Sequence, residues 1–209
     1  LNVVADEIGK SKSKMLKPEQ IFHALKSAYK RLKGSYSVIC MVAGHGLLAF
    51  RDPYGIRPLI FGKREGPFGK DYVFASESVA LDTLGFKILR DVMPGEAIFI
   101  DNEKNIHSKQ IEHPSWAPCI FEYVYLARPD SVIDKISVYK SRLRMGKFLA
   151  AQIKKDMKKG LKIDVVVPVP DTARSSAFEI AAQLGLPCRE GIIKNRYIGR
   201  TFIMPGQGI

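Results

Sequence analysis

Between Pro18 and Gly34 the apolar residues Ile21, Phe22, Leu25, Ala28, Tyr29 and Leu32 fall on one face of a helix. Pro18 suits a first helical position, Glu19 suits the positive end of the helix dipole, and Gly34 closes the pattern. Lys10–Lys17, just ahead, reads as a basic, serine-containing loop. From Tyr36 the period shortens to that of strands. Tyr36–Val42, Gly46–Phe50, Leu59–Phe61, Tyr72–Ala75, Ala97–Ile100 and Asn105–Ile111 alternate with turn signals such as Asp52-Pro53-Tyr54-Gly55 and Gly66-Pro67-Phe68-Gly69. A brief helix over Ser78–Leu84 ends at Gly85. This half predicts an antiparallel sheet domain with a covering helix.

The proline-punctuated run His113–Pro118 is the candidate boundary between a first domain, 1–112, and a second, 119–209. Beyond it a helix is expected from about Ser137 to Lys159. Its Met145, Leu149, Ile153 and Met157 step by four, as a stripe packed on a core would. Ile163–Val169 is a nearly unbroken β-branched run and predicts a strand buried on both faces. Pro168 and Pro170 stop it, and Phe178, Ile180, Ala181 and Leu184 then carry a helix to Gly185 and Pro187. Strand, polar turn and helix N-terminus begin a parallel α/β layout and make a candidate anion site. Asp171 and Thr172 in that turn offer hard oxygens that Mg²⁺ accepts beside substrate phosphates. Together with Ser175 and Ser176 they would serve equally as plain helix caps.

Composition narrows the class. The chain has 209 residues, 46% apolar and 26% charged, as in globular proteins. No apolar run reaches the roughly 20 residues of a membrane span. The three cysteines, Cys40, Cys119 and Cys188, lie far apart without a CxxC pair, which fits reduced thiols in a cytoplasmic protein. A net charge of +12 favours anionic partners, although Lys154, Lys155, Lys158 and Lys159 read as a solvated helix face. Near the end, Lys194, Arg196 and Arg200 interleave with Tyr197 and Phe202. That mix suits phosphate contact, stacking on single-stranded nucleic acid, or a plain surface loop. The opening at Leu1, without Met, and the stop at Ile209 in an unfinished α/β unit suggest a fragment cut at both ends.

Longer motifs go further. RDPYGIRPL at Arg51–Leu59, ASESVALDTLGF at Ala75–Phe86, DVMPGEAIFI at Asp91–Ile100, CIFEYVYLARPDS at Cys119–Ser131, VVVPVPDT at Val165–Thr172 and KNRYIGRTFIMPGQ at Lys194–Gln207 resemble the amidophosphoribosyltransferase family, in the same order and over practically the whole chain. The resemblance implies an α/β (α+β) protein. Residues 1–112 would be the C-terminal part of an N-terminal-nucleophile glutaminase (Ntn hydrolase) domain, 113–118 a linker, and 119–209 the first part of a type I phosphoribosyltransferase domain. The family is a glutamine-dependent glycosyltransferase. It passes ammonia from glutamine through an internal channel to phosphoribosyl pyrophosphate (PRPP) and makes 5-phosphoribosylamine, the first step of purine synthesis.

By resemblance, Asp171 and Thr172 lie in the pyrophosphate loop and Thr172 ligates Mg²⁺, one per subunit. Lys194 matches a lysine tied to feedback by purine nucleotides, and Tyr197 and Arg200 fall in the flexible loop over PRPP. Tyr125, Phe202 and Ile203 match the ammonia channel. Cys119 matches an iron–sulfur ligand of one branch, but the flanking IDKISVY resembles the branch without a cluster, so no cluster is expected. Glutamine and PRPP would be substrates of an intact, cytoplasmic homo-oligomer, with neither nucleic acid nor membrane as partner. The family's catalytic cysteine heads the mature chain, whereas Cys40, Cys119 and Cys188 are internal. The glutamine-binding arginine, the oxyanion segment and the acidic PRPP motif also lack counterparts, so the fragment alone is expected to be inactive. Leu126, Arg174 and Ser175 depart from the usual family residues. The alternative is a truncated, non-catalytic relative that binds nucleotides or nucleic acid through Lys194–Arg200. A further one, an amidotransferase sharing only the glutaminase half, fits the phosphoribosyl-side motifs less well.

Overall fold

The computed structural model describes residues 2–10, 16–67, 69–113, 115–195 and 197. The chain divides into two compact units, Leu1–Ser141 and Arg142–Ile209. In the first, α1 (Asn2–Gly9) and α2 (Pro18–Arg31) precede β1 (Ser37–Val42), β2 (Gly46–Arg51), β3 (Ile60–Gly66) and β4 (Gly69–Ala75). Then come α3 (Ser78–Thr83), β5 (Lys87–Asp91), β6 (Glu96–Asp101), β7 (Ile106–Gln110), a π-helical turn at Glu122–Leu126, and the short pair β8 (Val132–Ile133) and β9 (Ile136–Ser137). One antiparallel sheet runs β1-β2-β6-β7 and a second runs β4-β3-β5.

Alternation along the central strands builds three layers. Leu48 and Phe50 of β2 with Ala97 and Phe99 of β6 meet the helix residues Ile21, Phe22, Leu25 and Ala28. Their neighbours Ala49, Ile98 and Ile100 turn the other way, onto Leu59, Phe61, Phe74 and Val92 around the second sheet. Both faces of β6 are therefore covered, and Glu96–Ile100 are all buried. Each large apolar side chain so buried contributes about 1.5–3 kcal/mol. At the outer strand β1 the covering ends, and Met41 is 82% exposed.

The Arg51–Leu59 motif locks this sandwich. Arg51 is fully buried and every guanidinium N–H has an acceptor. Nε donates to the Arg57 carbonyl at 2.7 Å, Nη1 to Val92 O, and Nη2 to Gly55 O. The remaining two N–H groups form a fork on the Asp134 carboxylate, both bonds at 2.8 Å. Asp52 beside it accepts backbone N–H bonds from Tyr54, Ile56 and Arg57. Gly55 is needed at the turn, because its φ is +61° and a Cβ there would lie 2.7 Å from Pro94 Cγ. Tyr29 Oη donates to the Arg51 carbonyl at 2.7 Å, and its burial pushes the phenol far above its ordinary range.

This lock reaches past the expected boundary. Ser115, Ala117 and Cys119 donate backbone hydrogen bonds to Pro53, Tyr54 and Ile56, and Trp116 lies over the Arg51 guanidinium. Ser131 Oγ donates to Glu77, and Val132 N donates to Ser78 Oγ. Residues 115–137 are thereby laid against the sandwich, and the compact unit runs on to Ser141.

The second unit contains most of α4 (Val138–Met157) and all of α5 (Arg174–Leu184). The buried positions of α4 are Val138, Arg142, Gly146 and Ala150. The expected stripe at Met145, Leu149, Ile153 and Met157 is offset from them, and Leu149 is 51% exposed. Small residues decide the packing, since a Cβ on Gly146 would lie 2.6 Å from the Ser176 carbonyl on α5. The doubly buried strand over Ile163–Val169 is corrected too. Among the described residues it makes one parallel bridge, Val166 to Cys188, and Val169 is 61% exposed. A strand buried within a parallel sheet is held by a continuous ladder and covered on both faces, and the described residues supply a single rung. α5 starts at Arg174 with Ala173 as its cap residue and no side-chain cap, so Asp171 and Thr172 are not used as caps.

Two tests follow from the packing. Asp134→Ala leaves the Arg51 guanidinium buried without its carboxylate and is expected to destabilise the first unit by about 3–5 kcal/mol, read as a fall in the denaturant midpoint. At the β6–β7 turn, the His107 ring N–H bond, with backbone N–H bonds from Asn105 and Glu103, lowers the Asp101 carboxyl to about 2. A depressed carboxylate stabilises fully above its unfolded value of 3.8 and loses that contribution as pH falls toward 2. The Glu103 and Asn105 amides are expected to lose exchange protection over that window.

Candidate functional site

The expected site residues fall in two places. In the first unit Tyr125 sits in the π-helical turn Glu122–Leu126. Tyr123 of that turn is buried, while Tyr125 is 44% exposed, in an apolar strip with Ile120, Phe121 and Val124. The turn is anchored by Glu122, whose Oε1 lies 2.7 Å from Arg57 Nη1 at the end of the locked loop. Burial pushes the Glu122 carboxyl up, and Arg57 opposes the shift. Phe202 and Ile203, expected beside Tyr125, lie outside the described residues, as does Arg200.

In the second unit the residues after Pro170 make an open cleft of about 580 Å³, lined by Asp171, Arg174, Glu190, Ile193, Lys194, Asn195 and Tyr197. Three expected site residues (Asp171, Lys194 and Tyr197) are thus brought together, with the partly exposed Thr172 next to Asp171. Lys194 Nζ is 4.0 Å from Asp171 Oδ2, and the Asp171 carboxylate is half exposed. Tyr197 is fully exposed, and its N–H donates to Asn195 Oδ1. Helix α5 points its N-terminus at this turn, which adds partial positive charge.

Sequence reading passed over Arg174 and Glu190 as site residues. Arg174 Nη2 is 2.8 Å from Glu190 Oε1, and its Nε is 3.7 Å from Asp171 Oδ1. The Asp171–Arg174 spacing of three was visible beforehand, whereas Glu190 arrives only because Val166 and Cys188 pair. The half-exposed Asp171 carboxylate and the neighbouring Thr172 hydroxyl are donors of the hard-oxygen class that Mg²⁺ accepts beside water and phosphate. Among the described residues no three His, Cys, Asp or Glu side chains are grouped for a metal, and no helix is long and apolar enough to cross a membrane.

Residues 11–83 match the family model described as a glutamine amidotransferase domain. Over 208 residues the chain is 52% identical to the amidophosphoribosyltransferase of Pseudomonas aeruginosa, covering 99% of this chain and 41% of that protein. It is 51% identical to those of Escherichia coli and Saccharomyces cerevisiae, again over 99% of this chain and 41% of each relative. The chain therefore spans about two-fifths of the length of the curated relatives it matches. Among solved structures it is similar to a glutamine PRPP amidotransferase from B. subtilis complexed with ADP and GMP, with TM-score 0.77 and 37% identity over 99% of this chain and 42% of that one.

Proposed function

We propose that this chain, a stretch of amidophosphoribosyltransferase-family sequence, forms part of a glutamine-dependent enzyme that moves ammonia onto PRPP and releases pyrophosphate. The product would be 5-phosphoribosylamine, at the start of purine synthesis. One observation carries the reading: the cleft gathers Asp171, Lys194 and Tyr197 at a helix N-terminus, in a chain 52% identical to a relative of that name.

In this reading residues 1–112 contribute glutaminase scaffold, 113–118 joins the parts, and 119–209 contributes the PRPP side. That functional division differs from the compact unit because the Arg51 lock holds the start of the PRPP side to the sandwich. Asp171 and Thr172 hold Mg²⁺ together with the substrate's phosphates. The ion, when bound, disperses the negative charge that builds on departing pyrophosphate. Lys194 adds a point charge at the same turn, and Tyr197 with Arg200 covers the substrate and excludes water. Tyr125, Phe202 and Ile203 line the ammonia route, where aromatic and aliphatic walls offer water few hydrogen bonds. Purine nucleotides regulate through Lys194, a reading supported by the nucleotides bound to the B. subtilis neighbour. Mg²⁺ is the metal of this reading, and Cys119 is read as a free thiol. The intact protein is read as a cytoplasmic homo-oligomer.

Glutaminase chemistry of this type needs a cysteine with a free α-amino group. Cys40, Cys119 and Cys188 are all internal and none can supply that group, so the 209-residue polypeptide alone is expected to hydrolyse no glutamine. In the intact protein that carries this chain, glutamine-dependent release of pyrophosphate from PRPP is expected. Thr172→Ala is expected to lower kcat/KM for PRPP by about a hundredfold, the scale of removing one well-placed electrostatic contact. No release from the intact protein, or wild-type kinetics in the variant, contradicts the reading.

A further inference from the structure

Arg174 is the least settled ion in the cleft. It is the first residue of α5, directly after the turn that carries Asp171 and Thr172. Its Nη2 is held by Glu190 at 2.8 Å, with both side chains partly exposed. Its Nε is shielded from solvent yet makes no hydrogen bond among the described residues, because Asp171 Oδ1 stands off at 3.7 Å. An arginine with an unspent donor beside a cleft prefers an acceptor with more oxygens than one carboxylate can present. The charges around the cleft also cancel, with Arg174 and Lys194 matched by Asp171 and Glu190. As it stands the cleft has the cations for a phosphoryl group, but each has a resident counter-ion. Glu190 lies just past the Val166–Cys188 bridge, on the same segment as Lys194, so its pair with Arg174 ties that segment to α5.

We propose that Arg174 is a phosphate-binding residue held in reserve by Glu190: an entering pyrophosphate group takes over the guanidinium, and Glu190 with residues 190–195 is released from α5. The proposal rests on the phosphoribosyl reading of this cleft and adds a residue and a switch to it. Glu190 acts only through Arg174, so it is a positioning residue. An exposed pair of this kind holds weakly, so a pyrophosphate carrying several charges can displace it.

The test is calorimetric binding of inorganic pyrophosphate with Mg²⁺ to the 209-residue chain and its variants, with circular dichroism confirming that each is folded. Glu190→Gln removes the competitor and is expected to tighten binding by about threefold to fivefold. Arg174→Ala is expected to weaken it by about tenfold, and Arg174→Lys to recover part of that, since lysine keeps the charge without the fork. In Arg174→Ala/Glu190→Gln the gain from Glu190→Gln should vanish. The Arg174 Nε–H resonance should shift on adding pyrophosphate. If pyrophosphate binds but Glu190→Gln has no effect, or the same effect without Arg174, the reserve role of Glu190 is overturned and the phosphoribosyl reading stands. If neither wild type nor Glu190→Gln binds pyrophosphate, both fall.

Discussion

One buried ion pair organises the first unit. Arg51 and Asp134 are both almost completely withdrawn from water, with side chains 1% and 2% exposed. Such a pair is favourable only when every donor is used, because each charge has lost its hydration. Here the guanidinium spends its five N–H groups on a forked carboxylate and three backbone carbonyls. Those carbonyls belong to Gly55, Arg57 and Val92, so one side chain fixes the loop after β2 and the strand end that precedes β6. Asp134 closes the ring from the β8–β9 turn. Its N–H donates to Asp91, whose carboxyl is pushed up by burial.

The consequence is a boundary that proline content does not reveal. His113–Pro118 has the composition of a linker, yet Ser115 and Ala117 within it donate backbone hydrogen bonds to Pro53 and Tyr54, and Trp116 lies over the Arg51 guanidinium. The π-helical turn bearing Tyr125 follows directly and is pinned through Glu122 and Arg57. Anything Tyr125 does for a neighbouring reaction is therefore referenced to the sandwich, through the same arginine-rich loop that locks it.

Most strands of the first unit were legible in the sequence as short apolar runs between turn signals, and the helix over Pro18–Arg31 by its period. The second sheet as a separate layer was not: Leu48 and Phe50 face one core and Ala49 and Ile98 another, yet Leu47–Phe50 and Ala97–Ile100 are apolar throughout and do not say which face meets what. β5 was not legible, since Lys87–Arg90 are all exposed and show no apolar alternation. α1 also went unread: its one buried residue, Val4, and the partly buried Val3 and Ile8 join the core that α2 lines, and Arg31 of α2 pairs with Asp6 and Glu7. In the second unit the apolar stripe on α4 pointed to the wrong face, because Gly146 admits α5 closely and a bulkier residue there cannot. At the candidate site, Asp171, Lys194 and Tyr197 were singled out by resemblance to family motifs, and they line one cleft. Arg174 and Glu190 were not, because their meeting depends on a bridge between Val166 and Cys188 that local patterns do not encode.

The most direct test of the central claim is native-state hydrogen exchange of the amides from Val132 to Val138 in the 209-residue chain. If the Arg51–Asp134 pair makes residues 115–137 part of the sandwich, the protected amides of this stretch should open with β2 and β6, at the same free energy and the same denaturant dependence. Exchange of this stretch at a much lower free energy, while β2 and β6 stay protected, would contradict it and return the boundary to His113–Pro118.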